Sequence, residues 1–482
     1  MTAEVPDALD GHAASRVAAH GAALRLLSYG ASLTISIIAI RMLTMHLGTG
    51  FGTYTVVSSI AFVAVGSTDA GLASFALREG ANVSRTARSD LLANILGLRI
   101  VLLILGIMAG VLFTLLTGRT PSFIFGVAAV SAGLALATLQ QAVTIHLQLD
   151  LRNGVVASLE LVKTVALTAT YGIFVLFGAG LTVFYLAPAI AGFAMLAATT
   201  LVVPLALFRP SFHSKSWSRV LRAVLPYALA AAVTVLYFRV TQITMGYIAT
   251  PEQINEYALA FRVVEVLTVI PVLVAISALP LIARARTSGP DRLRPLARSL
   301  GQTALLAGLA LATATAAGAP IAIRVIGGGA NSGSVAVLQV LAVALAFTFP
   351  LALWSYLLLA VEEVRALSIC GSVAAASALA LALALVPDFG AMGGAVATIV
   401  AEGILAIGLL LAILRFDREF IPRFSRLARL LLAVLPAAAI VWLTRDAGLL
   451  LPLTAVPAFA LAAVTLRAVP PEIWDLARLS RA

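Results

Sequence analysis

The sequence is poor in charge, cysteine, lysine and polar loops. Only 11% of its 482 residues are charged and 61% are hydrophobic, whereas soluble domains run at about 25% charged and 45–50% apolar. No soluble core needs so much apolar surface, so the chain is read as an integral membrane protein. The polar stretches between its apolar runs are short and leave no room for a soluble catalytic domain. A single cysteine, Cys370, excludes an intramolecular disulfide and a cysteine metal cluster; it reads as a small core residue. The first twenty residues lack the apolar h-region of a signal peptide, so the N-terminus is expected to stay unprocessed. Gly327-Gly328-Gly329 lacks the following Lys and Ser/Thr of a nucleotide-binding loop. The expectation is a protein that is not an enzyme, with no catalytic residue, cofactor or metal.

What is present is a series of long apolar runs. A membrane-spanning helix needs roughly 20 apolar residues, and the runs predict fourteen helices. They fall near 21–46, 53–77, 91–116, 122–147, 154–178, 182–208, 222–248, 255–283, 298–323, 335–360, 366–386, 391–414, 427–444 and 448–467. The net charge of +11 is spread over many short loops rather than gathered on one polar segment, which argues against a nucleic-acid partner. About 24 of the 32 Lys and Arg fall on the N-terminus, every second loop and the C-terminal tail, and the positive-inside rule puts that side in the cytoplasm. The opposite loops hold Arg119, Arg324 and Arg445. Both termini are therefore expected inside, which requires an even helix count. Lysine is confined to Lys163 and Lys215 while arginine and alanine abound, the coding bias of a GC-rich bacterium, so a bacterial inner membrane is the expected location.

Apart from those on the loops and at the cytoplasmic span ends, about five cations remain in the spans: Arg41, Arg99, Lys163, Arg239 and Arg262. A charge at the centre of a helix costs about 2.5–3.5 kcal/mol on insertion scales, so such residues usually face a bundle interior or a watery cavity. Residues near a helix end have the simpler option of snorkelling, which weighs evenly for Arg41. The intramembrane acids are Asp69, Glu160, Glu265 and Glu402. Glu160 with Lys163, and Arg262 with Glu265, are spaced i,i+3, which places each pair on one helix face. Two readings stay open for these pairs: mutual neutralisation that lowers the cost of burial, or charge pairing and ion coupling in a cavity. Glu402 has no cation within a turn, so it is read as either protonated in lipid or paired with another helix, and it joins Asp69 among the candidates for charge pairing or ion coupling. Gln140, Gln141, Thr144, His146 and Gln148 form a polar end on the fourth span, read as a solvated helix end.

An internal echo organises the chain. The stretch from Arg41 and the stretch from Phe238 both run from an Arg late in one span, through a short outer turn, to a Tyr opening the next span and an Arg at its inner end. The first and seventh spans thus correspond, giving two six-helix halves in the same orientation, with a cavity between them as in parallel-repeat carriers. The predicted divisions are an N-terminal tail 1–20, an N-lobe 21–208, a basic loop 209–221 and a C-lobe 222–414. A second basic loop 415–426, two further helices over 427–467 and a tail 468–482 follow.

These residues resemble the Wzx-like polysaccharide-transport flippases of the MOP (multidrug/oligosaccharidyl-lipid/polysaccharide) superfamily. The resemblance rests on Arg41, Leu47-Gly48, Phe51-Gly52-Thr53-Tyr54 and Asp69-Ala70-Gly71-Leu72, and on Pro226-Tyr227, Arg239, Tyr257, Pro280 and Arg284. Thr241 stands where the family usually has Asp, and Asn255 where it has Gly, which puts an ion or proton role on that helix in doubt. The resemblance implies an all-α membrane fold of about fourteen helices, in two pseudo-symmetric six-helix lobes plus two C-terminal helices. It also implies flipping of an undecaprenyl-diphosphate-linked oligosaccharide by alternating access, with Arg41, Arg99, Lys163, Arg239 and Arg262 holding the headgroup. Coupling to H+ or Na+ and contact with polysaccharide-assembly proteins follow from the same resemblance. The rivals are a lipid II flippase, a drug/cation antiporter with a more acidic pocket and typically twelve spans, and, from another class, a polytopic membrane glycosyltransferase or polymerase. The last generally needs acidic residues on a sizeable outer loop, and the loops here are short.

Overall fold

A computed structural model of the chain describes residues 11–68, 71–150, 152–328, 332–361, 363–416, 424–443, 450–466 and 468. The described residues are helical, with no strand among them. The helices are α1 (Gly11–Leu47), α2 (Gly50–Gly66), α3 (Leu72–Ala81), α4 (Arg85–Leu116), α5 (Pro121–Leu149), α6 (Asn153–Leu176), α7 (Leu181–Phe184) and α8 (Ala187–Thr200). After a 3-10 turn (Leu205–Phe208) come α9 (Ser214–Ile248), α10 (Pro251–Leu267), α11 (Val269–Thr287), α12 (Pro290–Gly327), α13 (Ser332–Ala360), α14 (Val364–Phe416), α15 (Phe424–Leu443) and α16 (Leu450–Thr465).

Ten helical segments are long and apolar enough to span a bilayer, and α2, α15 and α16 carry shorter apolar stretches. The longest of the ten is two crossings. Gly390 in α14 has φ 54° and ψ −131°, a conformation open mainly to glycine, and the chain folds back there. A Cβ on Gly408 would stand 2.9 Å from the Cys370 sulfur, and one on Gly393 would crowd the Leu385 carbonyl. These contacts are those of an antiparallel pair closing near residue 389. Every one of the fourteen predicted spans thus has its helix, and the chain is a multi-pass membrane protein.

Three spans expected to be continuous are interrupted. The span at 53–77 is α2 and α3, parted before Gly71, whose φ of 72° ends helical continuity. The span at 182–208 is α7, α8 and the 3-10 turn, with Pro204 interrupting the backbone ladder. The span at 255–283 is interrupted more mildly, at Thr268 between α10 and α11, where φ −66° and ψ −15° stay helical and the N–H still donates to the Val264 carbonyl. α2 and α10 are each 17 residues long, so the two stretches that echo each other in sequence are also interrupted after helices of equal length. α9 and α12 begin eight residues ahead of the predicted spans. A span ends where charge enters the bilayer boundary, whereas a helix continues for as long as one face packs; Leu293 and Ala297 are buried while Arg292 is exposed.

The chain divides into two compact units, one of residues Met1–Leu47 and Ile60–Ala228, the other of Gly48–Ser59 and Leu229–Ala482. In the first, α1 lies on α6 and α5 on α8. A Cβ on Gly192 would meet the Gly133 carbonyl oxygen at 2.8 Å, the close backbone approach that small residues allow between membrane helices. Leu72, Ile95, Leu98, Ile145 and Val224 form one apolar cluster there. Gln140 and Thr144, expected at a solvated end, are 1% and 0% exposed, because that end of α5 is covered by neighbouring helices.

In the second unit α12 packs on α13, and α13 on α14. α15 and α16 rest on α12 through Ala317, Ala433, Ala437, Ala455 and Phe459. The first half of α2 joins this unit against α9 and α10. A Cβ on Gly52 would stand 2.7 Å from the Asn255 backbone nitrogen, and the Ser59 hydroxyl donates to the Gln242 side-chain oxygen at 3.0 Å.

Candidate functional site

The second unit gathers the ionisable residues of its spans around one hairpin. Thr250 caps α10: its hydroxyl accepts from the Gln253 backbone N–H, the Gln253 side chain accepts from the Thr250 N–H, and Pro251 follows at the first helical position. The tight turn returns α10 along α9 and sets the Phe238 and Phe261 rings 5.1 Å apart. Arg239 and Arg262 thereby reach a similar level, Arg239 about 14 Å along the helix from Ile248 at about 1.5 Å per residue.

Glu265 receives both arginines. Its Oε2 accepts from Arg262 Nη1 at 2.6 Å, and its Oε1 pairs with Arg239 Nη2. Arg239 is 9% exposed, and its guanidinium also lies 5.5 and 6.0 Å from the ring centres of Phe238 and Phe261, within cation–π range. The Arg262 side chain keeps 37% of its surface open and is the accessible end of the cluster. Guanidinium groups stay charged, so two of them sharing one carboxylate leave a net positive charge well inside the spans. Such a cluster is stabilised internally and still attracts an anion.

Beside it runs a chain of hydroxyls. The Tyr257 hydroxyl and Thr398 Oγ1 are 2.9 Å apart, and Thr398 lies 3.5 Å from Thr241. Tyr257 also stacks on Phe261 with ring centres 5.6 Å apart. A cavity of about 10 Å³ opens here, walled by Tyr237, Thr241, Thr348, Thr398 and Glu402 among others. Glu402 is 6% exposed.

The first unit disposes of its candidates differently. Arg41 is exposed on α1, and its neighbour Met42 reaches Gly172 of α6. Arg99 of α4 is wholly enclosed, at 0% exposure. On α6, Lys163 is half-buried and Glu160 exposed. The i,i+3 spacing of these two produces no ion pair, whereas that of Arg262 and Glu265 does. Asp69 lies outside the described residues.

Tyr237, Phe238, Phe261, Thr348 and Thr398 also wall the cavity, without having stood out in sequence as site residues. A signal was available for the phenylalanines, since each immediately precedes its arginine on one arm of the hairpin. None was available for Thr348 and Thr398, which come from distant helices.

No family model matches the chain, and no curated protein sequence matches it. Solved structures do. A lipid II flippase, MurJ, in an inward closed conformation superposes with a TM-score of 0.70 at 13% identity, over 93% of this chain and 98% of that one. An inward-facing multidrug-resistance MATE family transporter of the MOP superfamily gives 0.60 at 14% identity, over 83% and 98%. A MOP superfamily transporter from Pyrococcus furiosus, described as having a binding pocket of reversed polarity, gives 0.59 at 14% identity, over 84% and 96%. The architecture is therefore the fold of MOP-superfamily transporters.

Proposed function

We propose that the protein is a carrier that moves a polyprenyl-diphosphate-linked oligosaccharide across a bacterial cytoplasmic membrane by alternating access, for the assembly of surface polysaccharide. The observation that carries this reading is the net positive Arg239–Glu265–Arg262 cluster within the spans. A diphosphate headgroup is doubly suited to it, because planar guanidinium groups bind phosphate oxygens in pairs. A cationic drug would be repelled. The polyprenyl tail needs no protein site and can stay in lipid. Arg262 is the first contact in this scheme and Arg239 the second, while Arg41 and Lys163 are proposed as headgroup-binding residues of the first unit taken by itself. Arg99 takes part once uncovered. Both termini lie in the cytoplasm in this proposal, and proteins of polysaccharide assembly are its partners.

A second reading, flipping of lipid II, is favoured by the fuller likeness to MurJ, which extends over about a tenth more of the chain than the likeness to the MATE transporter. Both substrates present a polyprenyl diphosphate, so the arginine cluster serves either. The deciding experiment deletes the gene and identifies the lipid-linked sugar that accumulates in the inner leaflet. Arg239→Ala and Arg262→Ala are then tested for rescue. Accumulation of a surface-polysaccharide precursor supports the first reading, and accumulation of lipid II the second. Full rescue by both variants would remove the cluster from the transport path.

A further inference from the structure

The hairpin that joins α11 to α12 is a strongly basic stretch for which the headgroup reading has no use. Residues 284–298 hold Arg284, Arg286, Arg292, Arg294 and Arg298 against one acid, Asp291. Gly289 turns the chain between the two helices at φ 100°, a conformation that favours glycine. Arg284, Arg286 and Arg292 are exposed, and Arg294 and Arg298 are half-buried. Arg286 donates to the Ala360 carbonyl at the end of α13, where a cation complements the helix dipole.

This hairpin is part of a packed frame. Ile282, Ala285, Leu293 and Ala297 are buried in one apolar cluster with Leu358 of α13 and Ile413 of α14, so the arginines are carried by two fixed helices. Their level follows from helix length. α12 has 38 residues, about 57 Å at 1.5 Å per residue, whereas a bilayer with its headgroups is about 40–45 Å thick. Its first turns thus reach the phosphate layer and pass it. On α11, Ile270, Leu273 and Leu281 are exposed on the face that ends at exposed Arg284. An apolar stripe therefore runs into the cationic end within one turn. That succession is complementary to a phospholipid, with its chains along the stripe and its phosphate at the arginines. A soluble polyanion would use the arginines and leave the stripe without a role.

We propose that the α11–α12 hairpin is a binding surface for an anionic phospholipid of the phosphatidylglycerol class. Arg284 and Arg292 engage the phosphate, and Leu281 meets the first part of the acyl chains. Each guanidinium at a charged lipid surface is worth about fivefold in affinity. The surface lies roughly six helical turns from Arg262 along α10 and α11. It holds a lipid resident in the bilayer, and the inference stands whichever headgroup the protein carries.

The test uses the intact protein in neutral detergent with phosphatidylglycerol or phosphatidylcholine bearing a photoactivatable diazirine on one acyl chain near the headgroup. Adducts formed on illumination are mapped by mass spectrometry. Labelling within residues 276–298 is expected to be at least fivefold higher with phosphatidylglycerol than with phosphatidylcholine. It should fall at least tenfold when Arg284→Gln and Arg292→Gln are combined. No change is expected when Arg78→Gln and Arg152→Gln are combined, which removes two exposed arginines that stand close in sequence to Glu79 and Asp150. Equal labelling by the two lipids would overturn the proposal. So would an equal fall in both double variants, which would reduce the effect to net charge. Suppression by millimolar glycerol 3-phosphate would also overturn it, by making the site one for a soluble phosphate. Should the Arg284 and Arg292 variant fail to fold, the preference between the two lipids on the native chain, and its loss at high salt, decides alone.

Discussion

Glu160 with Lys163 in the first unit and Arg262 with Glu265 in the second are the same pattern on a helix, an acid and a base three residues apart. One pair closes at 2.6 Å and the other does not form. The difference lies outside the pattern. An i,i+3 pair contributes only about 0.2–0.5 kcal/mol by itself, too little to hold two long side chains on the exposed face of α6. Glu265 has a third partner, Arg239, delivered by the hairpin, and two aromatic rings that hold that arginine in place. Spacing proposes an ion pair, and the neighbouring helix decides it.

The comparison breaks most visibly at Glu265. Glu265→Gln leaves two guanidiniums crowded without their carboxylate, and removing one partner of a buried pair costs about 3–5 kcal/mol. A large fall in the melting temperature of the detergent-solubilised protein is expected, with partial recovery when Arg239→Met is added. Equal melting of the single and double variants would show that the cluster is not coupled.

A smaller loss is expected at Gly52. The added methyl of Gly52→Ala would press on the backbone of Asn255, and overpacking costs about 1–3 kcal/mol. Gly403 has nothing within 4 Å of a built Cβ, so Gly403→Ala is expected to leave melting unchanged or raise it by an amount corresponding to about 0.5–1 kcal/mol, the helix preference of alanine over glycine. Melting curves of the two variants side by side test whether the first half of α2 is packed as tightly as its contacts indicate.

Tyr257→Phe removes one hydroxyl contact of 2.9 Å and should cost about 1 kcal/mol. The smallest effect belongs to Glu160→Gln, expected to fall within about 0.5 kcal/mol of the parent chain. A loss there approaching that of Glu265→Gln would show that the first unit pairs its charges after all, and would erase the contrast between the two units.

Most of the fold was legible because a bilayer imposes a length on each apolar run. Even the fold-back in α14 is announced by Pro387, Asp388 and Gly390 between two apolar stretches. The breaks after α2 and α8 and the loosened turn after α10 were not, since hydropathy does not distinguish a continuous helix from an interrupted one. In the candidate site, the depth and charge of Arg239, Arg262 and Glu265 could be read from sequence. Their association could not, because it depends on which face of α9 meets which face of α10. Glu402 stood out in sequence for having no cation within a turn, while its hydroxyl surroundings come from helices far away along the chain.

The placement of Gly48–Ser59 with the second unit also bears on how the protein is made. Ser59 and its partner Gln242 are 183 residues apart in the chain, and ribosomes add about 5–20 residues per second. This half of α2 therefore enters the membrane roughly ten to forty seconds before the helices it will pack against exist. Through that interval its glycine and serine face must be borne by lipid or by the insertion machinery, and the second unit is completed by a segment made long before the α9 and α10 helices that receive it.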